Sequence, residues 1–454
     1  MSLSVVVLAA GQGVRMHSAL PKVLHPIGGK AIIEHILSTV SKLNNPRIVV
    51  VYGAKGEQLQ AALAHHQHLS WAAQEQQLGT GHAALQALSY LADSDRVLIL
   101  YGDVPLISEK TLTELLTSTP KDGIGLITVQ LENPTGLGRI VRDSAGKLQR
   151  VVEEKDATAE EKKLTEINCG FFLVPKQYLQ QWLPKLSSQN AQKEYYLTDI
   201  LTRANEQGVS ITTVSPEYSW EVMGVNDKCQ LAELERIYQW QQAKKLMQQG
   251  VMLLDPARFD VRGNVQVGQE VVIDANVILS GQVSLGSSVK IGPNVMIKDT
   301  VIEEGAEILA NSVIENATIG KGCVIGPFAR IRPGTVLAEK SRIGNFVEIK
   351  NATVGTQSKI NHLSYIGDAT IGNKVNIGAG TITCNFDGKQ KHQTVIGDHV
   401  SIGSDTQLIA PVTVGEGVTI GAGTTVTKDV PAKHLIHNRV EQRIIANWAK
   451  AEEE

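Results

Sequence analysis

The sequence predicts two folds in one chain: an α/β domain on a doubly wound sheet and, after a connecting helix, a β-solenoid. Two observations carry this expectation. Apolar strands alternate with helical stretches over the first half. From about Val271 onward, small aliphatic or β-branched residues recur every six positions, at Val271, Val277, Val283, Val289, Val295 and Val301. The beat returns at Ala317, Cys323 and Ala329, at Ala369, Val375 and Thr381, and from Thr394 through Val400, Thr406, Val412, Val418 and Thr424. So many hexads in phase argue against chance spacing in a β-sandwich.

The first domain is taken as residues 1–228. Ser4–Leu8 reads as a buried strand, Ile32–Leu43 as a helix, Ile48–Tyr52 as a strand, His82–Leu91 as a helix and Val97–Tyr101 as a strand. This βαβ rhythm predicts a parallel sheet, whose ligands bind beyond the carboxyl ends of the strands. Leu8-Ala9-Ala10-Gly11 and Tyr101-Gly102-Asp103 lie at two such ends. Residues 229–250 suit a linking helix, with Leu231, Leu234, Ile237, Leu246 and Met247 on one face. Residues 251–454 hold the solenoid and a C-terminal tail. Each hexad gives one short strand and one corner, and three close a triangular coil. Residues 251 to 437 then make on the order of ten coils, stacked roughly 4.8 Å apart. Gly often follows the small residue by three places, as at Gly286, Gly292, Gly372 and Gly403. There it is expected to relieve a corner that a Cβ would strain.

Composition narrows the partners. The 454 residues carry a net charge of −3, with no basic stripe for nucleic acid and no polybasic cluster for a membrane. Cys169, Cys229, Cys323 and Cys384 are far apart and form no CxxC pair, as expected of reduced thiols. The first residues lack a charged leader region, and Val5 to Ala10 is too short to cross a bilayer. A cytoplasmic protein is expected.

The first strand runs into Gly11-Gln12-Gly13-Val14-Arg15-Met16 and then Leu20-Pro21-Lys22. Glycines let backbone N–H groups crowd around phosphate oxygens, and Arg15 and Lys22 add positive charge. The loop is neither a Walker motif nor a dinucleotide fingerprint, since Met16 stands where the last glycine would be.

The L-A-A-G-x-G-x-R-M run with L-P-K after it resembles the sugar-1-phosphate nucleotidyltransferases. A hexad solenoid behind such a domain resembles, over essentially the whole chain, the bacterial bifunctional N-acetylglucosamine-1-phosphate uridylyltransferase/glucosamine-1-phosphate acetyltransferase family. Further segments agree: Gln76-Gln77-Leu78-Gly79-Thr80-Gly81-His82, Gly138-Arg139-Ile140, Tyr195-Tyr196-Leu197-Thr198-Asp199, Gly224-Val225-Asn226, Gly344-Asn345-Phe346-Val347-Glu348 and Asn376-Ile377-Gly378-Ala379-Gly380. The resemblance implies a left-handed β-helix, a homotrimer of such prisms, and two reactions. In one, a sugar-1-phosphate oxygen attacks the α-phosphorus of UTP. Such chemistry needs charge neutralised and groups aligned more than it needs a protein nucleophile. Asp103, at a strand end, offers the oxygen a hard Mg²⁺ ion prefers, and the resemblance adds Asn226 as second ligand. It also assigns Leu8, Ala9, Ala10, Gly11, Gln74, Gly79, Thr80, Tyr101 and Gly102 to the nucleotide. Arg15 and Lys22 go to its phosphates, and Gly138, Glu153 and Asn168 to the sugar.

In the other reaction, the glucosamine amine attacks the acetyl-CoA thioester. The resemblance makes His362, within Asn361-His362-Leu363-Ser364-Tyr365, the general base, a role imidazole suits near neutral pH. Arg332, Lys350 and Tyr365 are expected on the sugar phosphate and Asn376 and Asn385 on the sugar. Asn385 and Phe386 adjoin the acetyl-CoA site, to which Ser404, Ala422 and Arg439 are also assigned, with Lys391 near them. The Ala379 N–H is the expected oxyanion donor. Cys384 is the competing nucleophile. Four positions depart from the family pattern: Phe386 for Tyr, Leu137 for Tyr, Cys169 for Thr and Lys193 for Gly. Two rival readings are a single-function nucleotidyltransferase with a structural solenoid and a non-catalytic scaffold. Arg332, Lys350, His362 and Asn385 speak against the first, and Arg15, Lys22 and Asp103 against the second.

Overall fold

The computed structural model describes residues 2–91, 94–438, 441–446 and 448. The chain divides into two compact units, Met1–Tyr238 and Gln239–Glu454.

The first unit is built on a nine-stranded sheet. Its strands are β1 (Leu3–Ala9), β2 (Arg47–Tyr52), β3 (Leu69–Ala73), β4 (Arg96–Tyr101), β5 (Ile124–Gln130), β6 (Arg139–Arg142), β7 (Leu148–Val152), β8 (Glu166–Pro175) and β9 (Ile211–Val214). The order is β9-β5-β8-β4-β1-β2-β3, with the β6–β7 hairpin paired onto β8. Near-continuous Val, Ile and Leu runs make both faces of β1, β2 and β4 apolar, so helices cover both sides. Helix α1 (Ile32–Val40) buries Ile33, Ile36, Leu37 and Val40 on one face, while α2 (Thr80–Ala87) buries Ala83, Ala84 and Ala87 on the other. The chain leaves β1 for β2 on one side and returns as β4 on the other. The sheet therefore reverses direction of growth between β1 and β4, and their carboxyl ends open the crevice expected of such a switch point.

One expectation needs correction: the sheet is mixed. Strand β8 runs antiparallel to both β4 and β5. Between β5 and β8 the chain makes the β6–β7 hairpin instead of a crossover helix, so it comes back reversed. The helix expected over 229–250 spans Lys228–Gln248 (α3). Within the first unit Leu234 packs with Met16, Ile27, Ile32 and Val225. Within the second, Ala243 and Leu246 join the solenoid core.

The second unit is a parallel β-helix. An eleven-stranded sheet forms one face. Its inward column runs through Ile273, Ile291, Ile308, Ile325, Ile343, Ile360, Ile377, Ile402 and Ile420, all buried. Steps are 17 or 18 residues except one, from Ile377 to Ile402, where the coil carries extra chain. The surplus lies between Cys384 and Thr394, where Phe386 and Lys391 bridge antiparallel. A second column, Leu279, Ile297, Ile314, Ile331, Ile349 and Ile366, is broken at the next rung by buried Thr383 and resumes at Leu408.

The hexad register holds at every named inward position except one. Val301 is 47% exposed, and Thr300, 1% exposed, points inward instead. The cause is a 17-residue step that pairs Val283 with Thr300 and shifts the phase by one. The glycines act by closeness more than by conformation. Gly403 is not in the left-handed region, but a Cβ there would stand 2.5 Å from the Ala422 amide nitrogen of the coil above. Left-handed backbone falls two places later, at Ser288 (φ 60°), Lys374 (φ 54°) and Asp405 (φ 58°).

Candidate active sites

The first site lies at the β1–β4 crevice. A cavity of about 560 Å³ is lined by Leu8, Ala9, Ala10, Gly11, Lys22, Gln74, Gly79, Thr80, Tyr101 and Asp103. The sequence named all of these, and the structure brings them together. It adds Gln12, Val23, Gln77, Ala83 and Glu194. After β1 the chain turns at Gly13 (φ 62°), whose ideal Cβ would meet the Lys22 side chain at 2.8 Å. Glycine is needed there so that Lys22 can lie under the loop. Among the described residues nothing accepts from the N–H groups of Gly11, Gln12 and Gly13, which leaves three donors at the mouth for an anion. The Gln77 amide donates to the Ala10 carbonyl at 2.6 Å and fixes the loop's entry. Gln74 is 4% exposed and donates to the Gly79 carbonyl at 3.1 Å. Arg15 is exposed on the following turn and lines neither this cavity nor the one beside it.

Two oxygen donors converge on one ammonium. Lys22 forms an ion pair with Asp103 and donates to the Asn226 amide oxygen at 3.2 Å. Asn226 reaches this point because the Val225 N–H donates to the Asp103 carbonyl at 2.9 Å. A carboxylate and an amide oxygen brought to one positive centre form a donor set a hard divalent cation accepts. The residues expected to hold the metal therefore fit one.

Toward the hairpin, a Cβ at Gly138 would lie 3.1 Å from Glu153 Oε2, so glycine lets the carboxylate close in. Thr198 donates to Glu153 at 3.2 Å. The Asn168 side chain instead accepts from the Gly170 N–H at 3.0 Å, closing a bulge in β8. Tyr101 packs its ring on Gly170, and burial raises its phenol pKa far above the usual value, helped by Glu153 and Asp103.

Burial also raises the Glu153 carboxyl, with Asp156, Asp199 and Glu194 adding to it against the Thr198 bond. A raised carboxyl pKa favours the folded state while the group is protonated. That advantage fades as pH climbs from the ordinary carboxyl range through the raised value. Glu153→Gln is therefore expected to stabilise the protein near pH 7 and to change little at pH 4. Denaturant midpoints across that range check this, with the gap widening as pH rises.

The second site lies on the β-helix. His362 is exposed, at the end of a strand on the eleven-stranded face. Its Nδ1 is 2.9 Å from the Asn345 amide oxygen, seventeen residues earlier and one rung below. An amide oxygen accepts, so Nδ1 carries the proton and Nε2 keeps its lone pair, the tautomer a base requires. The rungs above continue the same corner. The Gly380 N–H donates to the His362 carbonyl at 3.4 Å, Asp405 N–H to Ala379 at 2.7 Å, and Gly423 N–H to Ser404 at 2.8 Å. Asn345, His362, Ala379, Ser404 and Ala422 thus form one column at strand spacing. Among the described residues nothing accepts from the Ala379 N–H. Arg439 lies outside the described residues.

Round the corner, on the next face, Arg332 and Lys350 occupy adjacent rungs, as Ile331 pairs with Ile349. Arg332 donates to Glu348 at 2.6 Å. Lys391, from the extra chain, comes against Lys350. Its hydrogen bond and charge lower the Lys350 pKa, with burial and Arg332 contributing further. Three cations gathered this way suit an anion. Behind them Asn385 donates to Asp368 at 2.5 Å and, more loosely, to the Tyr365 hydroxyl at 3.5 Å. Gly367 has no room for a Cβ, which would stand 2.4 Å from that hydroxyl. Its N–H donates at 2.7 Å to Thr383, the hydroxyl that interrupts the aliphatic column. Asn376 stands apart on the eleven-stranded face, paired with Lys359 and Ser401.

The structure accounts for three of the unusual positions and the fourth thiol. Lys193 has φ 55°, a conformation that favours glycine, and so explains why a glycine is frequent there. Phe386 is 61% exposed on the inserted loop. Cys169 is buried, and burial raises its pKa strongly. Burial also raises the Cys384 thiol, which weakens it as a nucleophile. Nothing in the structure explains Leu137. Sequence reasoning missed Gln77, Thr198, Asn345, Asp368 and Thr383. Asn345 was findable, because it precedes His362 by one solenoid step.

Comparison with known proteins agrees with this division. Residues 5–168 match the model of a MobA-like NTP transferase domain. Residues 261–356 match a GMPPB C-terminal domain, and 393–428 match six bacterial transferase hexapeptide repeats. The chain is 53% identical over 448 residues to the "Bifunctional protein GlmU" of Marinobacter nauticus, covering 99% of this chain and 98% of that one. It is 52% identical over 448 residues to the protein of the same name from Aromatoleum aromaticum, with the same coverage. The one from Methylococcus capsulatus is 53% identical over 453 residues, covering 100% of this chain and 98% of its own.

Proposed function

The chain belongs to the bifunctional GlmU family, and from that premise we propose how its two sites divide the work. It is a bifunctional enzyme: an acetyltransferase acting on glucosamine-1-phosphate with acetyl-CoA, and a uridylyltransferase acting on N-acetylglucosamine-1-phosphate with UTP. The acetyl step supplies the substrate of the uridylyl step.

In the crevice of the first unit, the free amides of Gly11, Gln12 and Gly13 hold the nucleotide phosphates. Gln74, Gly79 and Thr80 form the wall for the base, and Glu153, Gly138 and Asn168 hold the sugar. Asp103 and Asn226 hold Mg²⁺, which when bound supplies charge neutralisation for phosphoryl transfer. Lys22 moves from those oxygens to a phosphate. Arg15, already exposed, reaches the triphosphate from outside.

On the β-helix, Arg332, Lys350 and Lys391 bind the sugar phosphate, and Tyr365 and Asn385 orient the sugar. His362 Nε2 removes a proton from the substrate amine as its nitrogen attacks the thioester carbon. The Ala379 N–H stabilises the oxyanion, and the sulfur leaves as the thiol of CoA. Ser404 and Ala422 continue the same column as a track for the cofactor's arm. Phe386 is exposed on the inserted loop beside Asn385. The observation that carries this reading is that column, with an imidazole at its foot whose Nδ1 lies 2.9 Å from the Asn345 amide oxygen.

Self-association follows from the adjacent corner. Phe328, Phe346 and Leu363 stack there in left-handed backbone, 49%, 57% and 63% exposed. Apolar side chains held out by a costly conformation suit burial against further copies of the chain. A homotrimer is the arrangement proposed. A cytoplasmic enzyme is proposed, drawing on UTP and acetyl-CoA as its substrates. Among the described residues no helix is long and apolar enough to cross a membrane. The direct test supplies acetyl-CoA, glucosamine-1-phosphate, UTP and Mg²⁺ together. UDP-N-acetylglucosamine should appear, along with free CoA thiol and pyrophosphate. Formation of pyrophosphate only, from added N-acetylglucosamine-1-phosphate, would reduce the protein to a single-function transferase.

A further inference from the structure

The structure assigns a second cation site, rich in nitrogen and lining neither cavity of the nucleotide crevice, to Glu34, His65 and His66. Glu34 projects from α1, where it is partly buried. His65 and His66 come from the turn that precedes β3. One carboxylate oxygen and the two imidazole nitrogens lie within 4.8 Å of one another. Glu34 Oε1 is 3.0 Å from His65 Nε2 and 3.9 Å from His66 Nε2. Ligands 2.0–2.1 Å from a tetrahedral zinc ion stand roughly 3.3 Å apart. The three donors bracket that separation, so small side-chain rotations would close them on one ion.

The donor set decides the ion. Two imidazoles and a carboxylate suit zinc and its borderline-soft neighbours, whereas magnesium prefers oxygen and keeps its water. This site would therefore take a different metal from the Asp103–Asn226 pair. Lys30 lies nearby and opposes a cation weakly, whereas the Glu34 carboxylate favours one. The remaining position on the ion is open to water. Outside the nucleotide cavity, the ion would act as a clip that ties helix α1 to the turn leading into β3.

Zinc binding to the full-length protein tests this by equilibrium dialysis in excess Mg²⁺. A Cys229→Ser background removes the exposed thiol as a competing ligand. One zinc per chain is expected. Glu34→Gln and His65→Ala should each weaken binding by about 10-fold or more. Both should keep the uridylyl activity of the parent, which shows that they fold. Cobalt substituted for zinc should give the strong visible absorption of a tetrahedral centre in the parent and lose it in both variants. If the parent takes up no zinc, or if both variants bind it as the parent does, the site does not exist.

Discussion

Asp103→Ala should lower uridylyl transfer by about 10³-fold or more, several kcal/mol of transition-state stabilisation, while acetyl transfer stays at its parental rate. The reason is geometric. Asp103 supplies one of two oxygens that meet at the Lys22 ammonium, and it is the only one of the two that carries charge. Its removal takes away the anionic ligand of the proposed metal. It also leaves Lys22 without its ion partner in a half-buried position. Every described residue proposed for the second site belongs to the other compact unit. Acetyl transfer in the same sample is therefore the fold control. Steady-state assay of both reactions decides the matter: parallel loss of the two would mean that the substitution unfolds the protein.

The mirror experiment is His362→Ala. Acetyl transfer should drop by about 10²–10⁴-fold, the range a general base supplies, and uridylyl transfer should not change. Because Asn345 sets the tautomer from one rung below, the pH profile is informative as well. The acidic limb of kcat/KM in the parent should report the imidazole and vanish in the variant. Acetyl transfer that survives within a few-fold would remove His362 from the mechanism. Cys384 is a poor replacement nucleophile, since burial raises its thiol pKa above the usual value.

Much of this was legible in the residues. Strand ends and solenoid rungs are fixed by hydrophobic period, so the first strand ended one residue past the expected Leu8, the fourth ended at Tyr101 as expected, and every named hexad position but Val301 fell inward. Part of the nucleotide cavity followed from two adjacent strand ends and one glycine loop, whereas Gln74, Gly79 and Thr80 were named through the family resemblance. Three kinds of feature escaped. The phase slip at Val301 came from a coil one residue short, which a count by sixes cannot show. The reversal of β8 depended on a hairpin whose short strands leave a weak signal. Supporting residues such as Asn345, Asp368 and Thr383 act across rungs 16 or 17 residues apart, so a reading along the chain does not show what they support.

Thr383 has a consequence for the prism as a whole. A solenoid is a column in which each layer leans only on those above and below it. At this layer an aliphatic contact has been exchanged for a hydroxyl, and the next step upward detours through surplus chain. A storey with one aliphatic contact fewer is thus also the one where acetylation is proposed to occur. Thermal breathing should begin there, and substitutions that reinforce the layer with a larger apolar side chain would firm the tower while blunting its chemistry.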